Sequence, residues 1–328
     1  MRRTLPALSG QLLAGDELVV VDNASSDGTA DAVRELAPKA TVIEAGSNLG
    51  FASGCNLGAD AASSELLVFL NPDAVPAEGF REAIERPMVE GRGWGAWQGL
   101  VTAERERVIN TRGGLVHFTG IAWAGGAGER LDEAPLPLGE PGFASGACLA
   151  IPRERFERLG AFPAEFFLYH EDVDLSLRVR LAGGRLGVEP AARVDHEYEF
   201  EKGPAKWHLL ERNRCATLIR TYPAGLLVLL APALAVTEIA LVPISIAGGW
   251  FGQKLAACGD LLRAAPRLLR ERRKIQATRA VGAREFAGGL TPDLESPYLG
   301  RAGRSRVLRA ALRAYWALVL GLLGSGRA

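Results

Sequence analysis

The sequence predicts an α/β fold over residues 1–220, Rossmann-like, with a mainly parallel sheet covered by helices on both faces. A helical, apolar and basic region follows over residues 221–328. Three observations predict this. Short apolar, β-branched runs alternate with helix-like segments, acidic and amide residues recur where those runs end, and the two parts carry opposite charge. The 328 residues, 48% hydrophobic and 23% charged, are enough to bury a full core. Residues 1–220 hold 23 basic and 32 acidic side chains, a net −9, while residues 221–328 hold 15 and 6, a net +9. The second part is therefore expected to face something anionic. Its charge comes without a nucleic-acid recognition motif, so a membrane surface is the partner expected and nucleic acid is not. Cys55, Cys148, Cys215 and Cys258 are scattered, with neither zinc nor disulfide spacing, which suits a reducing cytoplasm. The opening "MRRTLPALSGQLL" lacks the sustained apolar stretch of a signal peptide.

The elements follow in order. Glu17 to Val21 reads as a buried strand, and Thr29 to Ala37 as a helix stopped by Pro38. Thr41 to Glu44 is a second strand, "GSNLGFASGCNLGADAA" a Gly-rich turn entering a helix, and Leu66 to Leu70 a third strand ending at "NPD". Asp22 and Asp73 thus fall at carboxyl ends of strands, where open α/β sheets bind ligands. Asp22, Asn23 and Asp27 equally suit turn and cap roles, and Asn71-Pro72-Asp73 suits a plain turn. Gly50 and Gly54 do not make the dinucleotide fingerprint, which disfavours a dehydrogenase. Further on, "FFLYHEDVDLSLR" puts Glu171, Asp172 and Asp174 at the start of a helix that Gly183 and Gly184 would end. Helix N–H groups and the dipole favour ionised carboxylates there.

Five stretches, "VVVDNASSDGT", "NLGFASGCNLGA", "LLVFLNPD", "GACLAIPRERFERLGAF" and "FFLYHEDVDLSLR", in this order and spacing, resemble the family 2 glycosyltransferases of GT-A fold. The likeness covers about residues 5 to 220 and is strongest to rhamnosyltransferase-like and galactofuranosyltransferase-like members. It implies transfer of a sugar, rhamnose by family likeness, from a nucleoside diphosphate to a hydroxyl of a lipid-linked or cell-envelope glycan, with inversion. Such a reaction needs a carboxylate to take the acceptor's proton and positive charge on the departing diphosphate.

By match to the family's Glu-Asp motif, Asp172 is the expected base and Glu171 its orienting neighbour, with Asp174 paired to Arg178 one turn on. The family's D-x-D metal motif is replaced by Asn71-Pro72-Asp73, leaving Asp73 as its only charged ligand for Mg²⁺ or Mn²⁺. His196 matches a histidine that follows the base in relatives, and joins Asp73 as a candidate metal ligand. The likeness places Asp22, Asn23, Asn48, Asn71, Asp73, Gly146, Arg212 and Arg214 on the donor side, the two arginines as diphosphate contacts. Exposed arginines on a helix face are the commoner case. Trp94, Trp97 and Trp123 suit either sugar stacking or the core.

Residues 224–252 are long enough to span a bilayer, yet they contain Glu238, Pro232 and Pro243. A carboxylate there costs roughly 2.5 to 3.5 kcal/mol. The expectation is therefore a broken, interfacial or re-entrant helical pair at the cytoplasmic face of the membrane. The basic segment 261–279 and an amphipathic stretch over residues 304–324 would continue it. An ordinary helical subdomain is the alternative. Relatives begin with a strand of the form "VSVVIVTYN", whereas this chain opens on residues that resemble the helix after it. The first strand is expected to be missing, and a catalytically inactive, membrane-bound partner of an active enzyme is the second functional reading.

Overall fold

The computed structural model describes residues 1–134, 139–196, 203, 205–294 and 305–324. Arg304 of the expected amphipathic stretch and residues 197–200 beyond His196 lie outside them. Helix α1 (Thr4–Ser9) precedes β1 (Val19–Asp22), α2 (Thr29–Leu36), β2 (Thr41–Glu44), α3 (Gly50–Ala61) and β3 (Leu66–Leu70). The valines and isoleucine of β1 and β2 are stiff at χ1 and favour extended backbone. Next come β4 (Ala74–Pro76), α4 (Phe80–Val89), β5 (Trp94–Ala103), β6 (Val108–Thr111), β7 (Gly114–Val116) and β8 (Ala122–Ala124). The rest of the first part is β9 (Cys148–Pro152), α5 (Arg153–Arg158), α6 (Glu171–Leu181) and β10 (Arg185–His196). Among the described residues five helices follow: α7 (Ala205–Thr221), α8 (Ala224–Ala247), α9 (Phe251–Ala277), α10 (Ala283–Ala287) and α11 (Arg306–Leu322).

The sheet is mixed, which corrects the expected mainly parallel one. β1 and β2 run parallel as a separate pair. The larger sheet has the order β3-β9-β5-β10-β4 with β6 added to β5, and only β5 and β10 are parallel neighbours in it. β9 runs antiparallel to both β3 and β5, and β4 antiparallel to β10. A crossover helix imposes a parallel sense, as α2 does between β1 and β2. β9 has no such constraint toward β3 or β5, far from it along the chain. Among the described residues β1 pairs only with β2, and β3 only with β9. Glu17, just before β1, accepts hydrogen bonds from Ser63 and Ser64 just before β3, which ties the two sheets at that end.

Helix α6 is buried on two sides. Leu175 and Val179 face a core with Phe69, Phe156, Phe162 and Leu149. Val173, Leu177 and Leu181 face a second core with Tyr222, Leu226, Leu230, Phe286, Trp316 and Val319. The hydrophobic core therefore runs without a break across the change of charge at residues 220–221. Helix α8 is continuous through Pro232 and Pro243, correcting the expected break. Trp97 and Trp123 are core residues, and Trp97 donates its indole N–H to the Ile84 carbonyl.

Candidate active site

The loop before α6 is wound against its own preferences. Phe167, Tyr169 and His170 adopt φ of 64°, 72° and 67°, a region that costs a non-glycine residue energy and persists only when its surroundings enforce it. Asn213, fully buried on α7, provides the enforcement: its amide Nδ2 donates to the carbonyls of Phe166, Leu168 and Tyr169 at 2.9, 3.0 and 2.7 Å. Arg212 orients that amide through its Oδ1 at 2.9 Å and donates to the carbonyls of Glu165 and Phe166. From the opposite side comes Gly50, with φ of +76°, where an added Cβ would lie 2.5 Å from the Phe167 carbonyl and ring. Only glycine fits there.

Replacing Asn213 with alanine strips a donor from three carbonyls, each costing about 1 to 3 kcal/mol if left buried and unpaired. Asn213→Ala should lose on the order of 3 kcal/mol in urea unfolding. Turnover should also fall at temperatures where the variant is still folded, because Glu171 and Asp172 directly follow the released loop. Asn213→Ser, which keeps one donor, should fall between. Unchanged turnover in a folded Asn213→Ala protein would refute the positioning role.

At the start of α6 the two carboxylates differ. Glu171 is buried, its Oε2 has no hydrogen-bond partner among the described residues, and burial together with the adjacent Asp172 raises its pKa well above the ordinary 4.5. Asp172 is half-buried. Its Oδ2 accepts the Gly146 N–H at 2.9 Å and its Oδ1 the Val173 N–H at 2.8 Å. Burial raises its carboxyl too, opposed by those N–H bonds, which favour the anion. The proton of the pair therefore belongs on Glu171 and the charge on Asp172. Cys55 of α3 lies behind, its thiol pushed up by burial and by Glu171. Asp174 pairs with Arg178 at 2.6 Å as expected, and also with Arg220 of α7 at 2.9 Å. Burial opposes its charge, but the two guanidiniums outweigh it and hold the carboxyl below the ordinary value.

A raised folded-state pKa means that the Glu171 contribution to stability is fully present below about pH 4.5 and is lost as pH rises through the folded value. Glutamine has nothing to titrate. Glu171→Gln should therefore melt higher than wild type by about 2 °C or more near pH 8, with the gain shrinking toward pH 4.5. A gain that grows on acidification would contradict the assignment.

Across from the carboxylates, the turn after β3 brings Asn71 and Asp73 to the same loop that holds Asp172. The Asn71 N–H donates to the Ala147 carbonyl at 3.1 Å, next to Gly146. Asp73 Oδ1 lies 3.0 Å from His196 Nε2, at the end of β10, and the Asn71 amide is 3.4 Å from the same nitrogen. Among the described residues no three His, Cys, Asp or Glu side chains group as a metal cage. One exposed carboxylate and one imidazole suit a hard divalent cation only if the ligand supplies most of its oxygens. Asp22 accepts the Ser25 N–H, Asn23 bridges the Leu49 N–H and the Gly50 carbonyl, and Asn48 accepts the Gly50 N–H. Asn23 and Asn48 shape the turn that carries Gly50 against Phe167, whereas Asp22 shapes only its own turn at Ser25.

The structure thus gathers Glu171, Asp172, Gly146, Asn71, Asp73 and His196, with Asn23 and Asn48 adjoining through Gly50. It does not gather the two arginines. Arg212 holds the Phe166 loop, and Arg214 is buried against Glu211, Glu238 and the Thr119 carbonyl. Their expected place on the diphosphate is corrected, because both guanidiniums are committed to protein acceptors. The sequence reading missed Asn213, which sits between them, and Gln98 and Ser176, which fix the loop of Gly146 through Ser145 at 2.8 Å and Ala144 at 3.0 Å.

Residues 1–160 match the model of the family described as glycosyl transferase family 2. The chain is 27% identical to the N-acetylglucosaminyl-diphospho-decaprenol L-rhamnosyltransferase of Mycobacterium tuberculosis, over 62% of this chain and 73% of that protein. It is 33% identical to the O-antigen biosynthesis protein RfbC of Myxococcus xanthus, over 43% of this chain and 12% of that one. Among solved structures it resembles S. aureus TarS, with a TM-score of 0.53, 14% identity and 95% of this chain covered. It also resembles GalNAc-T7 with UDP, GalNAc and Mn2+, with a TM-score of 0.50, 17% identity and 62% covered. The chain spans 52% and 41% of those two chains, and both likenesses are of fold.

Proposed function

The chain belongs to the family 2 glycosyltransferases, an enzyme of GT-A fold with a C-terminal helical region, and from that premise we propose that it transfers a sugar from a nucleoside diphosphate to a hydroxyl of a lipid-linked glycan, with inversion. One observation carries the assignment of roles. Asp172 accepts the Gly146 N–H, which favours its anion, on the loop that also carries the Asn71-Pro72-Asp73 turn, so base and donor turn share one support. Asp172 accepts the proton as the acceptor hydroxyl attacks the anomeric carbon, and the nucleoside diphosphate leaves from the opposite face. Glu171, protonated and buried, keeps a second negative charge away from the departing phosphate. Asp73 and His196 would hold a divalent cation, Mg²⁺ or Mn²⁺. Bound there, such an ion would neutralise charge developing on the diphosphate.

The donor sugar is read as L-rhamnose and the acceptor as a prenyl-diphosphate-linked N-acetylglucosamine, after the name of the mycobacterial relative. With such an acceptor, we read the reaction as taking place at the cytoplasmic face of a membrane. Purified full-length protein, a short prenyl-diphospho-GlcNAc and a panel of dTDP-, UDP- and GDP-sugars test this. NMR should show one anomeric configuration, opposite to the donor's. EDTA should weaken donor binding in wild type but have little further effect in Asp73→Ala. A retained configuration removes the single-step mechanism, and equal donor affinity with and without EDTA removes the cation.

A further inference from the structure

We propose that the outer face of α8, flanked by α9 and α11, docks onto the plane of an anionic bilayer, so that α8 lies along the membrane and does not cross it. The outward positions of α8 recur every three to four residues as Val228, Pro232, Val236, Ile239, Pro243 and Ile246. Val228, Val236 and Ile239 are 72%, 66% and 71% exposed, and that stripe carries no charge. Exposed apolar surface of that continuity marks an interaction site, since each such side chain gains about 1.5 to 3 kcal/mol on full burial.

The inner face of α8 decides the orientation. Leu226 and Leu230 are fully buried in the core that holds α6. Midway, Glu238 is ion-paired to Arg214 of α7 and, at 2.7 Å, to Lys254 of α9, which also reaches Glu211 at 2.8 Å. Beyond its end, Trp250 stacks on Trp207 of α7 with ring centroids 4.8 Å apart. The helix is thus fastened to the catalytic part near its start, at its middle and past its end. Crossing a bilayer would break Glu238 from Arg214, leave a buried guanidinium short of a partner and carry the carboxylate into hydrocarbon. Lying in the interface breaks nothing.

Charge selects lipid over a second copy of this chain. Exposed Leu255, Leu262 and Leu269 recur every seven residues on α9 beside Arg270 and Arg273. Exposed Leu318 and Leu322 follow Tyr315 of α11, which bonds to the Leu229 carbonyl of α8. A two-fold dimer through this face would set one basic rim against the other, whereas anionic headgroups neutralise it at roughly 1 kcal/mol per side chain. The inference deepens the lipid-linked acceptor of the proposed function and rests on it for its purpose. Its test reads no sugar transfer, so either can fail alone.

Spin labels placed at Val228→Cys and Ile246→Cys, in a Cys258→Ser background, sit about 27 Å apart along the helix. On vesicles of phosphatidylcholine with phosphatidylglycerol, both labels should report the same shallow depth, about 5 to 10 Å. Labels in opposite leaflets overturn the in-plane reading. V236D/I239D, substituted where side chains face outward, should keep the wild-type melting temperature and lose at least about tenfold in vesicle affinity. Wild-type protein that stays off these vesicles overturns the proposal. So does sedimentation as a dimer that V236D/I239D returns to monomer.

Discussion

Asp172→Asn is expected to lower turnover by about 10² to 10⁴-fold while leaving donor affinity nearly unchanged. The amide oxygen can still accept the Gly146 N–H that the carboxylate accepts at 2.9 Å, so the loop keeps its shape. What the amide cannot do is take the acceptor's proton. The pH profile offers a second readout. Burial raises the Asp172 carboxyl above the ordinary 3.8, and the base works only when ionised. Wild-type turnover should therefore fall on acidification, earlier than a solvated aspartate would dictate. The residual turnover of Asp172→Asn should lack that limb. Retention of more than about a tenth of wild-type turnover would remove Asp172 from the base role, since proton abstraction is being asked for at least about 10²-fold.

Local pattern carried much of the fold. Thr41–Glu44 and Leu66–Leu70 are strands over the residues that their apolar runs mark, and α6 begins at Glu171 and ends just before Gly183 and Gly184. Caps, breakers and apolar runs act within a few residues, so a single sequence displays them. Strand sense is different. Nothing near Cys148–Pro152 tells that it will run antiparallel beside both Leu66–Leu70 and Trp94–Ala103, because that choice is made by connections and core packing far along the chain.

The candidate site divides along the same line. Asp172, Asp73 and His196 stood out through their match to the family's motifs, since each alone suits a turn, a helix start or a structural histidine, and the fold does bring Asp73 to His196. Arg212 and Arg214 misled because residue type announces a charge and not its partner. Glu238 lies 24 residues from Arg214 and 16 from Lys254, and no helical periodicity links the three. Read as a run, α8 looks like a span carrying one costly carboxylate; in three dimensions that carboxylate is the fastening. Asn213 was invisible for the opposite reason: one asparagine in a helix gives no signal until three strained carbonyls are seen to converge on it.

A chain ending at Tyr222 should fail to fold cooperatively, although the change of charge at residues 220–221 suggests a soluble catalytic unit. Cutting there removes Leu226, Leu230, Phe286, Trp316 and Val319 from the core shared with α6. Val116, Phe118, Val173, Leu177, Leu181, Leu218 and Tyr222 would then face water. At about 1.5 to 3 kcal/mol for each large apolar side chain, these seven forfeit about 10 to 20 kcal/mol as an upper bound. A typical domain has only about 5 to 15 kcal/mol in total. The polar losses add to this. Arg220 gives up Glu271, Glu211 gives up Lys254, and the Ile219 and Tyr222 carbonyls lose the guanidinium of Arg272. Asp174 would then share a loosened Arg220 two residues from Asp172, so disorder reaches Glu171 and Asp172 directly. Near-ultraviolet circular dichroism and a thermal melt of the truncated chain, beside the full chain in mild detergent, make the comparison. The truncated chain should show no sharp transition and no donor binding. A cooperative melt with donor affinity intact would mean that the helices after Tyr222 are a separate attachment, and that α6 needs only its sheet-facing core.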